Sequence, residues 1–144
     1  MVDALSDAWR VLVDGGTLVD LRPFAGEYPL HLLTPQGAIP VGKTDTTLRA
    51  DDDAAADAAV KQVVEKGLFA ARSRVEFEID ILWDTVRDLE RWVATRKRTA
   101  VSPSYEQLER AYRSAAAESR ARPRLRTSRR LLLAAYERRP ILVS

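Results

Sequence analysis

Leu5-Ser6-Asp7-Ala8-Trp9-Arg10-Val11-Leu12-Val13-Asp14-Gly15-Gly16-Thr17-Leu18-Val19-Asp20-Leu21-Arg22-Pro23 carries a helix, a stop and a strand in immediate succession. Over Asp3 to Val13 the apolar residues Leu5, Ala8, Trp9 and Leu12 fall on one helical stripe. Asp14-Gly15-Gly16 ends that helix, because glycine takes up the left-handed cap without a steric cost. Thr17 to Leu21 then reads as a short strand, closed by Arg22-Pro23.

Outward from this joint, Leu30 to Leu33 and Ala38 to Val41 flank Thr34-Pro35-Gln36-Gly37, the pattern of a small hairpin over a Pro/Gly turn. Asp51 to Lys66 is predicted to be helical. Its acidic residues crowd the positive end of the helix dipole, Gly67 caps it, and Ala56, Ala59, Val60, Val63 and Val64 form its stripe. Val75, Phe77, Ile79, Ile81 and Trp83 alternate with Glu76, Glu78 and Asp80, which predicts a strand with one packed and one wet face. The outward acids suit a sheet edge. Thr85 with Asp88 forms a weak capping box ahead of Val86, Leu89, Trp92 and Val93. Ser102-Pro103 is expected to open a further helix, with proline at its first position and Tyr105, Leu108, Tyr112 and Ala115 inward. Leu131 to Tyr136 is almost unbroken in apolar character, as in an interior strand covered on both faces.

A chain of 144 residues fits a single domain over residues 1–144, large enough to bury roughly 70% of its unfolded surface. Its 46% hydrophobic and 31% charged content is that of an ordinary globular protein. No apolar run approaches the ~20 residues that span a bilayer, so no membrane partner is expected. The amino terminus lacks the pattern of a secretory signal, which makes the cytoplasm the default location. With no cysteine, disulfides, thiolate metal sites and cysteine nucleophiles are excluded. Charge is uneven. Residues 1–90 hold 9 Lys and Arg against 17 Asp and Glu, a net of −8, and residues 91–144 hold 14 against 4, a net of +10. Such a basic third can mark an anionic partner or can be a set of solvated helix faces. Nucleic acid is the weaker of the partner classes, since aromatic interleaving and a nucleic-acid motif are both missing.

The opening stretch resembles class I S-adenosylmethionine-dependent methyltransferases (type 11-like). In that family a helix ending in Arg-Val-Leu, here Arg10-Val11-Leu12, meets a Gly-Gly turn and enters the fifth sheet strand. Asp14 stands where the family usually has proline. By the same resemblance Val75 to Trp83 is similar to the sixth strand, and Leu131 to Tyr136 to the seventh, which runs antiparallel between five and six. The resemblance implies an α/β fold: a partial Rossmann-like methyltransferase with a three-stranded mixed sheet (strands five, seven, six), a small hairpin and about four flanking helices. It implies the carboxyl-terminal, acceptor-side half of the enzyme. The glycine-rich loop after the first strand, over which the cofactor sits, has no counterpart, because no Gly-x-Gly occurs and Gly15-Gly16 precedes a strand. S-adenosylmethionine is therefore the cofactor by resemblance only, and the isolated chain is not expected to bind it or to be active.

The resemblance places Arg22 and Pro23 on the substrate-facing rim and His31 near the acceptor pocket. Arg22 could hold an anionic acceptor, or pair with a nearby acid. His31, the one histidine, could serve as a base or be structural. No catalytic residue and no metal ligand is named, and Asp51-Asp52-Asp53 is explained by the helix dipole. The alternative reading is a non-catalytic module whose basic carboxyl-terminal third binds an anionic partner. Under the first reading the outer edge of Thr17 to Leu21 lacks its neighbour. Association as a homo-oligomer, or with a separate amino-terminal half, is then expected through that edge.

Overall fold

The computed structural model describes residues 1–141. Local chemistry sets most element ends. Helix α1 (Val2–Val11) gives way at Leu12 to extended backbone, and Gly15 follows at φ +76°, a conformation that favours glycine. Strand β1 (Thr17–Pro23) leads to the hairpin of β2 (Glu27–Thr34) and β3 (Gly37–Asp45), turned over Pro35-Gln36. Helix α2 (Ala50–Glu65) carries Asp51, Asp52 and Asp53 in its first turn, and Gly67 follows it at φ +74°. Strand β4 (Phe69–Trp83) is succeeded by α3 (Val86–Ala94), where the Thr85 side chain accepts from the Asp88 N–H. A three-residue strand, β5 (Ala100–Ser102), precedes α4 (Tyr105–Ser119), which opens on a complete capping box between Ser104 and Gln107. Pro103 thus lies ahead of the cap rather than at the first helical position. Strand β6 (Arg124–Arg138) closes the order.

The six strands form one open sheet in the order β1-β6-β2-β3-β5, with β4 also paired to β6. Four ladders are antiparallel, among them Thr17↔Glu137 to Pro23↔Leu131 between β1 and β6 and Leu30↔Thr127 to Leu33↔Arg124 between β2 and β6. The ladders β2–β3 and β3–β5 have the same sense. This topology overturns the methyltransferase resemblance. The family's sheet is parallel apart from its seventh strand, and its cofactor sits in the crevice at the carboxyl ends of those strands. Antiparallel neighbours do not line up their carboxyl ends on one side, so they build no such crevice. The expected three-stranded mixed sheet with a separate hairpin is replaced by six strands, because β2 of the hairpin pairs directly with β6. The Rossmann-like fold, the acceptor-side methyltransferase function and the S-adenosylmethionine site fall together.

Two compact units divide the chain. The first takes Met1–Phe24, Asp51–Phe77 and the chain from Arg130 onward, and buries Ala56, Ala59, Val63, Phe69, Ala70, Leu132 and Ala134. The second takes Ala25–Ala50 and Glu78–Arg129. Its core joins Leu30, Leu32, Trp83, Val86, Leu89, Leu108, Ala115 and Leu125, with Trp92 set edge-on to Trp83 at 5.2 Å between ring centres. The packed face expected along β4 is only partly realised. Trp83 is buried, whereas Val75 and Ile79 are exposed. Among the described residues no helix is long and apolar enough to cross a membrane.

Candidate interaction surface

In the first unit, the Gly15-Gly16 turn delivers β1 to its place. A Cβ on Gly16 would lie 2.8 Å from the Val13 carbonyl oxygen, so the turn cannot be this tight with a larger residue. The Arg138 N–H donates to the Gly16 carbonyl at 2.8 Å, and the Phe24 N–H donates to the Arg130 carbonyl at 2.9 Å. Even-numbered residues of β1 therefore direct their peptide groups at β6. By the alternation of an antiparallel ladder, those of Thr17, Val19 and Leu21 point away from it. Pro23 has the same outward parity but no N–H, so it ends the ladder. In the strand pairing, β1 has β6 as its one neighbour among the described residues.

Side chains follow the same alternation, with an unusual result. Leu18, Asp20 and Arg22 lie on the side of the sheet that carries buried Leu132 and Ala134. Arg22 is clasped there. Its Nε donates to both Asp20 oxygens at 2.8 and 3.0 Å, one terminal nitrogen donates to Asp57 at 2.7 Å, and the other to the Asp53 carbonyl at 3.3 Å. Partial burial works against the Arg22 charge, but the hydrogen bonds and charges of Asp20 and Asp57 outweigh it and hold the guanidinium pKa above its ordinary value. The Tyr136 hydroxyl, cross-strand from Leu18, is also pushed up, first by burial and then by the charge of Asp20. The opposite face bears Val19 and Leu21, beside Ala135 and Leu133. It is open: Val19 is 57% and Leu21 56% exposed, while the side chains of Arg22 and Asp20 keep 22% and 15%. Thus the charged residues of β1 are covered, while two of its apolar residues, Val19 and Leu21, face solvent.

Of the residues singled out in the sequence, Arg22 is paired with acids rather than presented outward, and Pro23 closes β1. His31 sits in the second unit, half-buried at a β-bulge in β2, across from Pro40 of β3 and Arg126 of β6. The roles the resemblance gave these three rested on the family fold. Among the described residues no cluster of His, Asp and Glu is placed to hold a metal ion. Sequence reasoning passed over Val19, Leu21 and Leu133 as surface groups. Apolar residues on a short strand read as core, and no local signal says which face the helices cover.

Fold and surface define an α/β protein with an open, largely antiparallel sheet whose edge strand β1 exposes Val19 and Leu21. Comparison with protein-family models, with curated proteins and with solved structures finds no match.

Proposed function

We propose that this chain is an interaction protein that joins a second copy of itself by adding β1 to β1 across a two-fold axis. The inverted burial of β1 carries this reading, with Val19 and Leu21 open to solvent and Asp20 and Arg22 covered. A soluble strand normally exposes the reverse pattern, and an apolar edge is a template for another strand. The edge is also complementary to itself. With Val19 on the axis, Val19 meets its own counterpart and Thr17 meets Leu21, so outward peptide groups face outward peptide groups along the whole stretch. About six backbone hydrogen bonds form, worth roughly 3–9 kcal/mol net at about 0.5–1.5 each. Association costs roughly 4–15 kcal/mol, a cost of the same order as these bonds. The apolar area covered as Val19 and Leu21 pack across the junction adds roughly 25 cal/mol per Å².

Sedimentation equilibrium tests the association, and Val19→Lys, which sets two like charges face to face on the axis, is expected to return the protein to monomer. Because the natural chain has no cysteine, a single introduced one reports the register. Val19→Cys brings two Cα atoms to about 5.5 Å, within disulfide range, and is expected to cross-link on mild oxidation. Leu21→Cys leaves its two copies about 13 Å apart along the strands and is not. A wild-type monomer at about 100 µM, where a micromolar Kd would leave mostly dimer, sinks the proposal. So does a dimer unchanged by Val19→Lys.

A further inference from the structure

Also in the first unit, a groove of about 600 Å³ opens between α1, the turn from α2 into β4, and the end of β6. Three cationic side chains line it, Lys66, Arg72 and Arg139, against one acid, Glu137. Glu137 is already engaged by Arg72, whose Nε and one terminal nitrogen grip the two carboxylate oxygens at 2.9 and 2.7 Å. Lys66 and Arg139 form no ion pair among the described residues, so the groove carries uncompensated positive charge. Trp9 and Leu68 give it an apolar wall.

That wall is firmly built. The Trp9 indole N–H donates to the Arg139 carbonyl at 3.0 Å, and the Arg139 N–H donates to the Leu68 carbonyl at 2.9 Å. Arg138 lies 4.5 Å from the Trp9 ring centre, which fixes the plane of the indole. The last carbonyls of α2 are satisfied within the chain. Those of Gln62, Val63 and Val64 accept from the N–H groups of Lys66, Leu68 and Gly67. The volume is that of small-molecule sites, which join apolar walls to a few placed polar groups.

We infer that this groove binds a small amphipathic anion, its phosphate or carboxylate head between Lys66 and Arg139 and its flat apolar body against Trp9. No residue of β1 lines this groove, and the proposed binding does not rest on association there.

Phenyl phosphate is the probe, titrated into the full chain and followed by the Trp9 indole N–H signal in NMR spectra. Saturable binding with a Kd of about 1 mM or tighter is expected. Inorganic phosphate and benzyl alcohol, each carrying half of the recognition, are expected to bind at least about tenfold more weakly. The double variant Lys66→Gln/Arg139→Gln should lose about tenfold or more while keeping the wild-type circular dichroism. Lys61→Gln, a cation outside the groove, should bind as wild type. Absence of saturation overturns the inference. So does equal binding by inorganic phosphate, which would mean charge attraction without a site, or full affinity in a folded double variant. Should the double variant lose its fold, Arg139→Gln alone decides, with retained affinity counting against.

Discussion

Arg138→Met should release helix α1 while leaving the rest of the protein folded. α1 has ten residues, too short to be stable in isolation, and none of them is buried. Besides the Trp9 indole N–H, which donates to the Arg139 carbonyl at 3.0 Å, its polar anchorage passes through one side chain, that of Arg138. The Arg138 Nε donates to the Trp9 carbonyl at 2.7 Å, its guanidinium stands 4.5 Å from the Trp9 ring centre, and it pairs with Asp14 beyond the helix end. A charge-assisted hydrogen bond contributes about 1.5–3 kcal/mol, and a cation–π contact at a partly exposed site about 0.5–1. The exposed Asp14 partner adds little after solvent screening. About 2–4 kcal/mol of local stability is therefore at stake, and methionine keeps the aliphatic stem while removing all three contacts. At the lower figure, amide exchange over Asp7 to Val11 accelerates about 30-fold. The assay is native-state hydrogen exchange by NMR, with the urea midpoint as the global control. Unchanged exchange in α1 would refute the clamp, and a parallel acceleration in β6 would show that Arg138 supports the whole unit instead.

Other outcomes follow from the same geometry. Leu125 and Leu133 lie on one strand, but the first is fully buried and the second 40% exposed. Leu125→Ala should lower stability by about 2–5 kcal/mol, and Leu133→Ala by less than about 1, read from urea midpoints. A Cβ on Gly42 would lie 2.0 Å from the Ser102 carbonyl oxygen and 2.6 Å from Pro103 Cδ, so Gly42→Ala should part β3 from β5, at a cost of about 1–3 kcal/mol and with faster exchange at Val101. The Glu137 carboxyl is held below its ordinary pKa by its hydrogen bond to Arg72. Its stabilising contribution is present above the unfolded Glu pKa and is lost as pH falls through the depressed folded one. A carboxyl-detected NMR titration should show that depression, and Arg72→Gln should move the midpoint upward.

What could be read in the sequence was what neighbours in the chain decide. The Gly15-Gly16 joint, the Thr85 cap, the acidic start and glycine end of α2 and the turn at Thr34 to Gly37 each act within a few residues, and each stands close to where the pattern put it. The two longest strands did not show their length. Leu131 to Tyr136 showed only part of β6, whose first half is the arginine-rich Arg124-Leu125-Arg126-Thr127-Ser128-Arg129-Arg130. Its polar groups find partners far away in sequence, Arg124 with Asp84 at 2.9 Å, Ser128 with Asp80 at 2.5 Å and Arg130 with Glu76 at 3.1 Å. Similarly Arg72 disguises the start of β4 until Glu137 is placed beside it. Strand β5, with three residues, is too short for any period to show.

The same division explains how a true local reading led to the wrong fold. A helix, a double glycine and a strand specify a joint, and many architectures contain that joint. Which strand lies next, and in which direction, depends on pairings across more than a hundred residues, such as Thr17 with Glu137. Nothing within Leu5 to Pro23 encodes that choice. Nor does it encode which face of β1 the helices cover. Asp20 and Arg22 would ordinarily mark the wet face, but Asp57 and the Asp53 carbonyl of α2 satisfy Arg22 and draw that face inward. Once Arg22 is held there, the strand's alternation forces Val19 and Leu21 outward, since a period of two leaves no third choice. The apolar surface of β1 is thus set by a charged residue on the opposite side of the strand. Removing the Asp57 carboxylate while leaving Val19 untouched would loosen the geometry of the edge without altering its chemistry.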